Sequence, residues 1–353
     1  MKAPDTARPV TQRDLERLKT LPIQADVWQL GLARMPLWVT DQGPTPFRPM
    51  VALCRSTAVH ALGGGGLMAP GEPPAPAALE AIVELAKSRE IGYRPQRIEV
   101  RDPALAEALG FALASAGITV TVTQRLDALD EAIAEMTEHF ERTSGAPRFF
   151  DPAVGVERLR VFAEAAVEFH RAALWNHLKG EDLVRVESPK PPMGLEWFSV
   201  LGSARNEYGL GFFASRRDFE RFQTADTPKF YLGETRRWIF TYDEVTDWSV
   251  ADSELWEEHD LPVAGPHAYP SLACHVPEVG PMPAEAGELD FIVALLRSLA
   301  TTTEDELDSV RWSKTVTTFE GEQTIELSLP GLLEEPSRTG RRDHRSHAVG
   351  GDA

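Results

Sequence analysis

The stretch RIEVRDPALAEALGFALASAGITVTV, residues 97–122, decides the fold of the first half of the chain. Arg97–Val100 is a short extended segment. Asp102-Pro103 then places an oxygen acceptor at a helix N-cap and a ring-locked φ at the first helical position. The helix they open runs to Ser115, and Gly117 ends it. Ile118–Val122 is a β-branched run that reads as a buried strand. Strand, helix and strand in this order form a crossover, and strands joined by a crossover pair in parallel.

Working outward, Leu126–Phe140 is helical, with Leu129, Ile133 and Met136 on one face. Upstream, the proline-rich residues Pro73–Pro76 precede a helix in which Leu79, Ile82, Val83, Leu85 and Ala86 recur at helical spacing up to Arg89. Met50–Cys54 and Val59–Leu62 read as strands across a polar turn, with Ala25–Leu32 and Pro36–Thr40 as two short extended segments before them. Gln12–Leu21 is a short amphipathic helix carrying Leu15 and Leu18. An antiparallel meander followed by crossovers gives an α/β domain on a mixed sheet.

Thr143–Pro147 follows a helix with turn formers and a helix-stopping proline, so the first domain is expected over 1–142 and a linker over 143–149. The second domain, 150–331, opens with a helix from Val156 to about Trp175, striped by Leu159, Phe162, Ala163, Ala166 and Phe169. Strand candidates follow at Leu183–Glu187, Leu195–Leu201, Tyr208–Ala214, Arg237–Tyr242 and Ser271–Val276. Short helices at Ser215–Gln223 and Ala284–Ala300 and a hairpin turning at Glu320–Glu322 complete an α+β domain with an antiparallel sheet. Residues 332–353, with Arg338, Arg341, Arg342 and Arg345 and no apolar periodicity, are expected to be a disordered tail.

The chain has 353 residues, 42% hydrophobic and 25% charged, which is ordinary globular composition and excludes wholesale disorder and collagen. Its formal net charge is -18, which repels phosphate backbones and makes nucleic acid an unfavourable partner. No run of about 18 apolar residues occurs, so no membrane-spanning helix is expected. Two distant cysteines, Cys54 and Cys274, form no disulfide framework and fit a reducing, cytoplasmic location.

Candidate chemistry is sparse. Gly63–Gly66 lacks the Lys-Ser or Lys-Thr of a phosphate loop and reads as a flexible strand end. His259, His267, Cys274 and His275 match no zinc spacing, and no nucleophile elbow occurs, so neither a metal nor a cofactor is expected. Asp102 stands at the C-terminal end of a strand, where open sheets place functional groups, although helix capping alone explains it. The stretch Asp243–Asp260 holds Asp243, Glu244, Asp247, Asp252, Glu254, Glu257, Glu258 and Asp260 with no Lys or Arg, punctuated by Trp248 and Trp256. Together with the many aromatics from Trp175 to Tyr231, it points to a contact surface for a basic or mixed-charge protein partner.

The order of elements over Met50–Phe140 resembles the ribonuclease H and retroviral-integrase-like fold. That resemblance implies carboxylates holding two divalent metals, one of them on the first strand. Val51–Ser56, taken as that strand, has no carboxylate. Asp102 matches the later acidic position, with Glu80 or Glu84 and Asp127 or Asp130 as loose counterparts. Trp28, Arg34-Met35-Pro36-Leu37-Trp38, Arg48-Pro49, Arg94-Pro95, Val200-Leu201-Gly202 and Tyr208-Gly209-Leu210 also resemble an uncharacterised bacterial protein family of unknown function. The expectation is a nonenzymatic cytosolic interaction or accessory protein. The alternative is a divalent-metal nuclease or phosphoesterase using Asp102, Glu84 and Asp127.

Overall fold

The computed structural model describes residues 10–40, 46–144, 148–202, 208–224, 237–277 and 279–330; the expected tail over 332–353 and the middle of the expected linker, 145–147, lie outside them. The chain divides into two compact units, residues 1–146 and 147–353.

In the first unit the elements are α1 (Gln12–Thr20), β1 (Ile23–Arg34), β2 (Met50–Ser56), β3 (Leu62–Met68), α2 (Ala75–Lys87), β4 (Arg94–Val100), α3 (Pro103–Leu113), β5 (Thr119–Val122) and α4 (Asp127–Ser144). The sheet runs β3-β2-β1-β4-β5. β1 is antiparallel to β2, and β2 to β3, whereas β1, β4 and β5 are parallel. This is the mixed α/β sheet expected from the crossover, with the ribonuclease H-like order of elements.

Two local readings are corrected. Ala25–Leu32 lies inside a longer strand, Pro36–Thr40 holds only the bridge of Val39 to Phe47, and Met50 does not open the first strand. β1 is a single strand of 12 residues at the centre of the sheet. Its Trp28 and Leu30 pack with the residues of α2 and α3, while Ala33 packs with Leu126 and Leu129 of the α4 segment. Because both faces are covered, simple polar alternation is lost and the strand reads poorly from sequence. The glycine run is the interior of β3 and not a loose end. A Cβ on Gly65 would stand 2.2 Å from the Ala77 carbonyl oxygen, and one on Gly63 would stand 2.7 Å from Leu85 Cβ, so β3 lies backbone-close on α2. Between them Gly64 points the other way, 3.7 Å from Leu53.

The second unit contains α5 (Val156–Ala172), β6 (Leu183–Ser188), β7 (Trp197–Leu201), β8 (Gly209–Phe213), α6 (Arg216–Thr224), β9 (Arg237–Asp243), α7 (Val250–Glu258), β10 (Tyr269–Val276), β11 (Gly280–Met282), α8 (Ala286–Ala300), α9 (Glu304–Asp308), β12 (Arg311–Thr318) and β13 (Gly321–Ser328). Its eight-stranded sheet has the order β11-β10-β9-β8-β7-β6-β13-β12 and is antiparallel at every pairing. The core forms where α5 and α8 meet one face: Phe162 and Phe169 contact Phe240, and Trp238 contacts Phe291.

The acidic stretch is also reassigned. Half of it is α7, whose N-cap is Ser249, with a hydroxyl that accepts from the Asp252 amide. Trp248 and Trp256 are each 2% exposed, and both pack on Phe150. They are core residues and cannot serve as contacts on a surface. Asp252 is buried with them, which leaves Glu244, Asp247, Glu254, Glu257, Glu258 and Asp260 exposed and Asp243 partly so.

Candidate functional site

The first strand of the sheet does carry a carboxylate. Asp26 lies near the start of β1, where the ends of β1, β2 and β4 meet, and is 4% exposed. It accepts hydrogen bonds from Ser56 Oγ at 2.6 Å, Tyr93 OH at 2.7 Å and Trp28 Nε1 at 2.8 Å. The Ala58 amide also donates to it at 3.2 Å, while Thr57 Oγ1, 3.4 Å away, donates to the Val27 carbonyl at 2.8 Å. Burial alone would raise its pKa, but the bonds from Ser56, Tyr93, Trp28 and the Ala58 amide outweigh burial and hold it below the usual carboxylate range. An ionised carboxylate offers about four lone-pair sites, so these donors consume most of its capacity. Asp26 therefore links the ends of β1, β2 and β4, with its Oδ2 fully taken by Ser56, Tyr93 and Trp28. Nearby Cys54 is equally withdrawn from chemistry: burial, with the charge of Asp26, pushes its thiol pKa far up.

The three carboxylates picked out from sequence each have local work. Asp102 caps α3, accepting from the Ala104 amide at 2.8 Å. Glu84 is exposed on α2, 4.0 Å from Lys87 Nζ. Asp127 pairs with Arg125 at 3.0 Å on the surface. Of the looser counterparts, Glu80 accepts from the Gly66 amide at 2.7 Å and Asp130 pairs with Arg101 at 2.5 Å. Among the described residues no group of three or more His, Cys, Asp or Glu side chains could hold a metal ion. Asp102, Glu84 and Asp127 are thus not brought together as a metal centre.

The histidine and cysteine group of the second unit is dispersed in the same way. His267 faces Glu244 at 2.8 Å, and Cys274 is buried with its Sγ 3.5 Å from Met193 Sδ. His275 stands across the β9–β10 ladder from Arg237, and burial with the Arg237 charge lowers its pKa.

What the second unit does assemble is a cavity of about 280 Å³. Leu183 and Trp197, from the adjacent strands β6 and β7, form its wall with Phe219 of α6 and Leu329 just beyond β13. Phe219 is buried and held edge-on by Phe213, at a centroid separation of 5.3 Å. Glu181, Asp182 and Glu220 stand at the cavity with Arg216, and Arg216 Nε is 3.1 Å from Glu220. A second cavity of about 280 Å³ lies in the first unit, where Leu18, Leu21 and Val83 meet Arg17 and Lys87. The two cavities are alike in size and opposite in the charge that dominates them. Neither was visible in sequence, because each joins residues from separate elements.

Residues 14–137 match a domain of unknown function, DUF6930, and residues 160–319 match another, DUF7309. No curated protein matches the chain. Among solved structures, the HTLV-2 integrase catalytic core domain in complex with magnesium is 10% identical, with 36% of this chain and 80% of that one covered at a TM-score of 0.25. The simian T-cell lymphotropic virus intasome in complex with the PP2A regulatory subunit B56 gamma is 17% identical, with 42% and 50% covered at a TM-score of 0.24. Nothing of those proteins' chemistry passes to this chain on likenesses so slight. Unit by unit, the chain is similar to two uncharacterised domains, DUF6930 in the first and DUF7309 in the second.

Proposed function

We propose that the chain is a nonenzymatic interaction or accessory protein whose partner is another protein. The observation that carries this reading is the state of Asp26. The carboxylate on the central strand, the place where a metal-dependent enzyme of this fold class would need an open ligand, is spent on hydrogen bonds from Ser56, Tyr93 and Trp28. The formal charge of -18 further disfavours a nucleic-acid substrate. Two buried cysteines that form no disulfide, Cys54 and Cys274, are consistent with a cytoplasmic setting.

The test is an incubation of the full chain with DNA, RNA and an activated phosphodiester in the presence of Mg²⁺ or Mn²⁺. No metal-dependent turnover is expected. Turnover that disappears in Asp102→Asn or Asp26→Asn would overturn the reading in favour of a nuclease or phosphoesterase.

A further inference from the structure

We propose that the cavity between β6, β7 and α6 receives the guanidinium side chain of an arginine-bearing peptide. The inference rests on the accessory reading and names the partner's chemistry.

Size excludes large ligands first. At about 280 Å³ the cavity lies at the small end of the roughly 300–1,000 Å³ range typical of ligand sites and has room for one long side chain. The lining then selects the chemistry. Trp197 and Phe219 present aromatic surface, while Glu181, Asp182 and Glu220 oppose a single cation, Arg216, that already contacts Glu220 at 3.1 Å. Formal charge at the cavity is three negative against one positive, which rejects an anion and favours a cation. A planar cation gains most, because it stacks on a ring face while its N–H groups reach a carboxylate in a forked geometry that an ammonium cannot match.

The molecule already uses this chemistry on the same indole. The Arg185 guanidinium lies 5.4 Å from the Trp197 ring centroid, and its Nη2 is 3.2 Å from Glu196. Guanidinium, indole and carboxylate therefore form a stable set on this sheet, and the cavity offers two of the three components. The arrangement repeats elsewhere in the unit, where Arg158 lies 4.5 Å over Phe319 and pairs with Asp290 at 3.1 Å.

The experiment titrates the full chain at low salt with acetylated, amidated tetra-arginine, using tetra-lysine and tetra-glutamate as comparators. Binding is read by calorimetry and by the shift of the Trp197 indole resonance. Saturable arginine binding that moves the Trp197 signal is expected, with lysine about threefold weaker and glutamate silent. Glu181→Gln combined with Glu220→Gln should weaken the arginine peptide about tenfold at an unchanged unfolding midpoint. Glu254→Gln combined with Glu258→Gln, an acidic pair on α7, should leave it unchanged. An equal loss in the α7 pair would show diffuse attraction to an acidic protein and overturn the site. So would binding that leaves the Trp197 resonance still, or no binding at all. Metal-dependent turnover in the hydrolysis assay would sink the accessory reading without altering any of these titrations, so the two failures are distinguishable.

Discussion

Asp26 in the first unit and Asp252 in the second are buried almost equally, at 4% and 1% exposure, yet their carboxyl groups shift in opposite directions. Burial raises both. For Asp252 burial prevails over everything that lowers the pKa, namely the bonds from the Phe149 amide at 2.8 Å and Ser249 Oγ at 2.7 Å, the Arg148 charge and the Phe150 amide, so its pKa lies above the ordinary value of 3.8. For Asp26 three side-chain donors on β1, β2 and the start of β4 prevail over burial, and its pKa lies below 3.8. Solvent exposure alone does not set the charge state of a buried acid. Asp252 has more protein packed around it than Asp26, so its burial cost is larger, and the balance of that cost against the hydrogen-bond donors decides the sign.

The largest effect that would break this contrast is Asp26→Ala. It strands the donors of Ser56, Tyr93 and Trp28 in the core and should cost the first unit about 3–5 kcal/mol in urea unfolding. A loss under about 1 kcal/mol would mean that the node is not a structural anchor. Acid titration comes next, because the two carboxylates have opposite signs. Stability from Asp26 is fully present above pH 3.8 and is lost as pH falls through its depressed pKa. For Asp252 the protonated form is favoured in the fold, so the second unit should lose stability as pH rises from 3.8 through its raised pKa. Subtracting the melting profiles of Asp26→Asn and Asp252→Asn from that of the parent should therefore give slopes of opposite sign, and equal signs would refute the assignment.

Smaller again is Tyr93→Phe, which removes one donor at 2.7 Å. It should cost about 1 kcal/mol and move the Asp26 titration, followed by carboxyl NMR, toward the ordinary range. The smallest effect is expected from Asp252→Asn at pH 7, within about 1 kcal/mol, because losing the charge removes the burial cost while the amide oxygen still accepts from Ser249 and Phe149. A loss several times larger in thermal melting would place Asp252 in the same class as Asp26.

The elements with clean periodicity were legible in sequence. The crossover over residues 97–122 fixed two parallel strands, and the stripe of Leu159, Phe162, Ala166 and Phe169 is the buried face of α5. β1 escaped because covering on both sides erased its alternation. α7 escaped because its four acids match its four apolar residues in number and only Val250 and Trp256 among the large ones are buried. Asp26 was out of reach for a different reason. Its partners Ser56 and Tyr93 are 30 and 67 residues away in the chain, and only the strand register brings them to it. The cavity at Trp197 has the same character, since its walls come from β6, β7, α6 and the residue after β13. Local pattern reports elements, whereas both sites are products of topology.

The glycine face of β3 has a mechanical consequence. Where Gly65 meets Ala77 and Gly63 meets Leu85 and Ala81, the contact is main chain against main chain and short side chains. Such a joint has no long side chain to change rotamer and take up slack. Glu80 adds a strut by accepting from the Gly66 amide at 2.7 Å. A displacement of α2 is then transmitted to the edge of the sheet as a rigid push, so the helix and strand behave as one lever.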